Sequence, residues 1–106
     1  MEFNLKKPCK DCPFKTDTLE GWLGEERAEE ISNDLIYNQG TFACHKTLQA
    51  AKQEHCAGAL ILLEKLDRPN QMMRIAERLG YYDRSKLDMF ANVFDDQDDF
   101  IERHAD

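Results

Sequence analysis

Four cysteines, at positions 9, 12, 44 and 56 of 106 residues, constrain this chain more than any other feature. The chain opens on no charged-then-apolar segment of the signal type, so the cytosol is the expected compartment, where reduction disfavours structural disulfides. In that setting the four thiols read first as metal ligands and second as redox chemistry. Cys9 and Cys12 form a C-x-x-C, a spacing that turns two thiolates toward one ion while backbone amides point at the sulfurs. Cys44 follows after 31 residues and Cys56 after 11 more. The intervening helical segment is long enough to bring Cys44 back to the C-x-x-C, so a metal set of Cys9, Cys12, Cys44 and Cys56 is expected. Two other readings stand beside it. Cys44 and Cys56 could be small buried apolar residues, or Cys9 and Cys12 could be a thioredoxin-like pair, although the βαβ context for that is missing.

The donors suit either a [4Fe-4S] cluster or Zn²⁺. Structural zinc sites often use two C-x-x-C knuckles, whereas here the second half is two isolated cysteines, and Pro13 after Cys12 matches the Cys-Pro step of cluster-binding runs. These features favour the cluster by a narrow margin. His45 and His55 each adjoin a cysteine and are expected to support the site or, in a Cys₃His arrangement, to replace their neighbour. Lys10, Lys46 and Lys52 would offset thiolate charge, unless they are simply solvated.

The expected fold class is mainly α, a small metal-centred helical domain with an extended N-terminal Cys-containing loop. One domain accounts for the length. Pro8 and Pro13 keep residues 1–15 extended. Residues 24–39 form an acidic helix with Ala28, Ile31 and Leu35 on one stripe and Gly40 as terminator. Thr41 to Cys44 reads as a short extended or strand-like piece. Residues 57–67 form an apolar core helix stopped by Pro69, and residues 70–79 an amphipathic helix capped by Asn70, with Met72, Ile75, Ala76 and Leu79 on one stripe before Gly80. Arg84 to Phe90 adds a turn or two. Residues 91–106 form an acidic tail that either stays solvated or carries a last short helix capped by Asp95 or Asp96. Trp22 reads as a lid over a small core or as a binding anchor.

The net charge of −7 is segregated: +2 over residues 1–15, −6 over 16–38, +1 each over 39–58 and 59–90, and −5 over 91–106. Broad attraction to a phosphate backbone is therefore disfavoured, while a local basic patch is not. The longest uninterrupted apolar run, Ala59 to Leu63, is far short of a membrane span.

The segments Pro8-Cys9-Lys10-Asp11-Cys12-Pro13-Phe14-Lys15, Trp22, Phe42-Ala43-Cys44-His45-Lys46-Thr47 and Cys56-Ala57-Gly58 resemble an uncharacterised family of short four-cysteine proteins encoded by bacteriophages and bacteria. The resemblance covers about residues 8–60. It implies a phage or prophage origin and a shared metal site at the four cysteines, and it implies no established activity. Lys15 stands where the resemblance leads one to expect arginine.

Among function classes, an enzyme is disfavoured. Pro8-Cys9-x-x-Cys12 matches half of the zinc deaminase signature, but no histidine precedes it to supply the other half. There is no H-E-x-x-H and no phosphate-cradling glycine loop, and neither Ser32 nor Ser85 lies in a nucleophile motif. Four thiolates would also saturate a tetrahedral ion. A second class is a DNA-binding regulator: Ile75 to Gly80 followed by Arg84 to Leu87 resembles a helix-turn-helix, with Arg74, Arg78, Arg84 and Lys86 as possible nucleic-acid contacts. A redox or cluster-sensing protein is a third. The expectation taken forward is a non-enzymatic interaction or regulatory module with a host or phage protein partner, the tail residues Phe94, Phe100 and Ile101 being candidates for docking.

Overall fold

The computed structural model describes residues 2–48 and 52–105. Its regular structure consists of α1 (Glu25–Tyr37), α2 (Ala57–Lys65), α3 (Gln71–Arg78) and α4 (Gln97–His104), with single 3-10 turns at His45–Thr47 and Arg84–Lys86. Extended pairing among the described residues is limited to isolated bridges. The fold is mainly helical. No helix is long and apolar enough to cross a membrane.

The central element is α2, in which every residue from Ala57 to Leu63 is buried. An apolar sequence with no polar face can only be satisfied by being enclosed on all sides. The helix ends before Pro69 is reached. Asp67 takes a positive φ of 56°, and the Arg68 N–H returns to the Leu63 carbonyl at 2.9 Å, which satisfies carbonyls that the last turn would otherwise leave without partners. Helix α1 carries Glu25 and Glu26 in its first turn, where the helix dipole favours anions. It closes through the Gly40 N–H to the Asp34 carbonyl at 2.9 Å. A side chain at Gly40 would run into the Asp34 carboxylate.

Helix α3 is capped by Asn70, whose Oδ1 accepts from the Met73 N–H at 2.8 Å while its Nδ2 donates to the Gly40 carbonyl at 3.1 Å. This helix buries only Ala76 of the stripe its periodicity suggests, together with Met73. Met73 and Ala76 are buried, whereas Met72, Ile75 and Leu79 are 47%, 45% and 63% exposed and line an apolar groove of about 390 Å³ with Phe3 and Tyr81. An apolar stripe at helical spacing identifies a face that avoids water, and it does not identify what covers that face.

The acidic segment is not a solvated tail over its described residues, 91–105. Asp96 caps α4 by accepting from the Asp99 N–H at 2.8 Å, and α4 packs against α1. Phe100 is fully buried and stacks on Phe14 at 4.9 Å with an interplanar angle of 7°, and Phe94 meets Phe100 edge-on at 5.8 Å. Phe94 and Phe100 therefore belong to the core and are not free to dock on a partner. The acidic residues lie on the outer face of α4, which is why composition alone suggests solvation.

Three bridges place the cysteine-bearing segments. Glu2 pairs in parallel with Glu54, Ala43 antiparallel with His55, and Lys15 antiparallel with Val93. The expected strand-like piece before Cys44 amounts to the second of these bridges, and the expected N-terminal loop is extended only as far as Pro8. Beyond it, the Cys12 N–H to the Cys9 carbonyl and the Lys15 N–H to the Cys12 carbonyl, both at 3.2 Å, wind two successive turns.

Candidate metal centre

The four cysteines sit on three segments brought together by these bridges. Cys9 and Cys12 lie on the N-terminal turns. The Cys44 N–H donates to the Glu54 carbonyl at 2.7 Å, and the Cys56 N–H donates to the Phe42 carbonyl at 2.8 Å. Cys44 ends one extended piece and opens the 3-10 turn; Cys56 ends the other and is the N-cap of α2. Cys12, Cys44 and Cys56 are buried and Cys9 is partly exposed; all four are free thiols.

Backbone amides meet three of the four sulfurs. Cys9 receives the Asp11 amide, Cys12 the amides of Phe14 and Gly58, and Cys56 those of Gly58 and Ala59. In each case one donor is the residue two positions further along the chain. Such donors stabilise charge on sulfur. Cys12 Sγ and Cys56 Sγ lie 3.5 Å apart. The hydrogen bond from Cys56 holds the Cys12 thiol below the ordinary thiol range against the cost of its burial, with the Phe14 and Gly58 amides and Lys15 helping. Donating that bond, together with burial, pushes Cys56 well up. Burial raises Cys9 as well, with Cys12 and Cys44 adding to the rise and the Asp11 amide and Lys46 opposing it.

Gly58 is what lets these sulfurs approach the start of α2. A Cβ there would lie 2.5 Å from Cys12 Sγ and 2.9 Å from Phe14 Cβ. Among the described residues, no group of three or more His, Cys, Asp or Glu side chains is placed to hold an ion as it stands. Cys12 and Cys56 are in contact, and Cys9 Sγ is turned to His45 Nε2 at 3.5 Å.

The two histidines adjoining cysteines have separate roles. His45 contacts Cys9 and lies under Trp22, with ring centroids 5.8 Å apart. Trp22 is 41% exposed and meets the rings of His45 and His104 at this corner. His55 is fully buried and stacks on Phe3 at 5.5 Å. Its Nε2 accepts from the Phe42 N–H at 3.4 Å, which leaves Nδ1–H to donate to the Cys56 carbonyl at 3.1 Å. Both ring nitrogens are engaged by backbone, so His55 fixes the two cysteine-bearing strips and has no free nitrogen for an ion. Of the lysines, Lys46 pairs with Asp11 at 3.2 Å beside Cys9, and Lys15 is a cation acting on Cys12.

His104 is the residue that sequence reading misses. It is fully buried at the end of α4, where Nε2–H donates to the Pro13 carbonyl at 2.8 Å and Nδ1 accepts from the Leu23 N–H at 3.3 Å. It therefore clamps the residue after Cys12 from the far end of the chain. The available signal is its position four residues after Phe100, on the same helix face.

The arrangement proposed for nucleic acid lacks a part. After Gly80, whose φ of 85° closes α3, the chain makes only the three-residue turn Arg84–Lys86. That is too short to act as a recognition helix in a groove. Asp83 starts the turn by accepting from the Ser85 N–H at 3.0 Å, and Arg84 faces Glu77 at 3.9 Å. Arg74 and Arg78 lie on α3 beside the exposed apolar stripe, and Lys86 ends the turn.

A family model described as a family of unknown function, DUF6283, matches residues 4–105, which takes in every element above and all four cysteines. The chain belongs to DUF6283. No curated protein and no solved structure matches this DUF6283 chain.

Proposed function

We propose that this DUF6283 chain is a small metal-binding protein of phage or bacterial origin whose four thiolates, Cys9, Cys12, Cys44 and Cys56, hold a zinc or iron–sulfur centre, and that it works as an interaction or regulatory module. The observation that carries the reading is the set of backbone amides directed at three sulfurs, in each case including the residue two positions on. Amides so placed compensate thiolate charge, as an ion's ligands require and buried neutral thiols do not. The donor chemistry fits: soft sulfur ligands suit zinc and iron–sulfur centres. Binding would draw Cys9 away from His45, leaving His45 and Trp22 as the cover on the exposed side.

The interaction part of the proposal is supported by α3. Its stripe of Met72, Ile75 and Leu79, continued by Tyr81, leaves a contiguous apolar face uncovered by the described residues, and faces of that kind mark contact surfaces more often than they persist without use. The deciding experiment is elemental analysis of anaerobically purified protein together with thermal unfolding before and after chelation. Bound metal whose removal lowers the melting temperature is the expected result. Metal-free protein whose melting temperature is unchanged by Cys44→Ser rejects the reading.

A further inference from the structure

We propose that the exposed face of α3 docks an amphipathic helix of a partner protein, one whose apolar face is flanked by acidic residues. This rests on the interaction reading above and names the partner's class. Met72, Ile75 and Leu79 stand at i, i+3 and i+7 and are all exposed, so they form one ridge along two turns of the helix. Beside the ridge, Phe3 and Ala76 are buried and Tyr81 is exposed, and together these residues line the groove of about 390 Å³. A concave apolar strip of that length takes the i, i+3 or i+4 and i+7 side chains of a second helix. Met72, with its unbranched side chain, can adapt to the residue it meets. An added strand has nothing to pair with, because extended structure among the described residues is limited to isolated bridges.

Charge selects the flanks of that helix. At 100° per residue Arg78 lies about 60° around α3 from Ile75, and Arg74 lies one turn before it on the same side. The two arginines therefore border the apolar ridge on the side away from the core, where both are exposed. Among the described residues neither guanidinium is within ion-pair distance of a carboxylate, and the neighbouring Glu77 faces Arg84 at 3.9 Å instead. Like charges at i and i+4 repel each other, and this pair stands uncompensated in a chain of net charge −7. Carboxylates on the partner's flank relieve that repulsion and fix the register of docking. Glu2 also lines the groove, so the partner's acidic residues belong on the arginine side alone. A second copy of this chain is a poorer occupant. In a two-fold, antiparallel pairing of the α3 ridges, both pairs of arginines fall on the same side and repel.

The test uses the full chain and two synthetic helical peptides that share leucines at i, i+3, i+4 and i+7. Glutamates flank the leucines in one peptide and lysines in the other, and each is used at a concentration where it is monomeric. Fluorescence anisotropy at low salt should show the glutamate peptide binding about tenfold more tightly, with the margin shrinking as salt is added. Ile75→Lys with Leu79→Lys should abolish binding of the glutamate peptide, and Arg74→Glu with Arg78→Glu should reverse the preference between the two. Equal affinity for both peptides, or binding that survives the Ile75→Lys, Leu79→Lys pair, overturns the proposal. Sedimentation of the peptide-free protein covers the second copy: a dimer dispersed by that same pair overturns the proposal and leaves an interaction role standing. Metal content of the same preparation separates the remaining failures. A metal-loaded monomer that takes neither peptide overturns the proposal and leaves the metal centre standing, whereas a metal-free monomer that takes neither overturns both.

Discussion

At the scale of single residues, Gly58 and His104 each do work that their types alone do not announce. Gly58 has no role in a turn, because it sits inside α2; it is required for closeness. Gly58→Ala places a methyl against Cys12 Sγ and Phe14 Cβ, an overpacking expected to cost about 1–3 kcal/mol, measurable by chemical denaturation. The same variant should hold metal more weakly in competition with a chelator. His104 is a pH-sensitive clamp. Its Nδ1 accepts from Leu23, so protonation would set a second donor against that N–H. Burial holds its imidazole below the ordinary histidine range, despite the opposing hydrogen bond to Pro13. An unfolded histidine titrates near 6.5, so the unfolded chain binds the proton first. The stability His104 contributes is therefore fully present above about pH 6.5 and is lost as pH falls from there through the lower folded value. Melting temperature should drop between pH 7 and pH 5, and the slope should be shallower in His104→Gln. An unaltered slope in that variant removes His104 from the account.

At the scale of elements, α3 and α4 exchange the roles that composition assigns them. Phe100→Ala should cost about 3–5 kcal/mol, because the ring is wholly enclosed between Phe14 and Phe94. Asp96→Ala, which removes the cap from the same helix, should cost about 1 kcal/mol. By contrast, Ile75→Lys with Leu79→Lys should leave unfolding free energy within about 1 kcal/mol in total, since neither side chain is enclosed, while reducing binding of a hydrophobic dye. A large loss of stability in that double variant would mean the stripe is covered after all. Helices α1, α2 and α3 were legible because spacing, caps and glycine terminators act locally: Asn70 accepts from Met73, and Gly80 takes positive φ, as their types suggest. The covering of each face was not legible, because it depends on which distant segment arrives there. Phe100 is core because Phe14 lies opposite it, 86 residues earlier in the chain. The four cysteines were legible as thiols on separate segments, whereas the sulfur contact of Cys12 with Cys56 and the clamp by His104 arise only from tertiary placement.

At the scale of the whole molecule, the parts around the thiols are held by few regular elements and many single links. Bridges at Glu2, Ala43 and Lys15 and the histidines at 55 and 104 join segments that have little secondary structure of their own. An ion joining the same segments would contribute on the order of 10 kcal/mol to folding if it behaves as structural zinc does, comparable with the whole stability of an ordinary domain. Cys44→Ser is accordingly expected to yield little soluble protein, and stripping any bound metal should broaden amide spectra across residues 2–15, 41–48 and 52–55 before it affects α2. Sharp, unchanged spectra after stripping would show that the bridges suffice alone. The clamp from His104 to Pro13 spans 91 positions of sequence, which places a clock on biosynthesis. At roughly 5–20 residues per second, Cys9 and Cys12 are polymerised about 5–20 s before the histidine that closes over them. Exposure of the thiols to solvent and their enclosure are thus successive events in the life of each new chain.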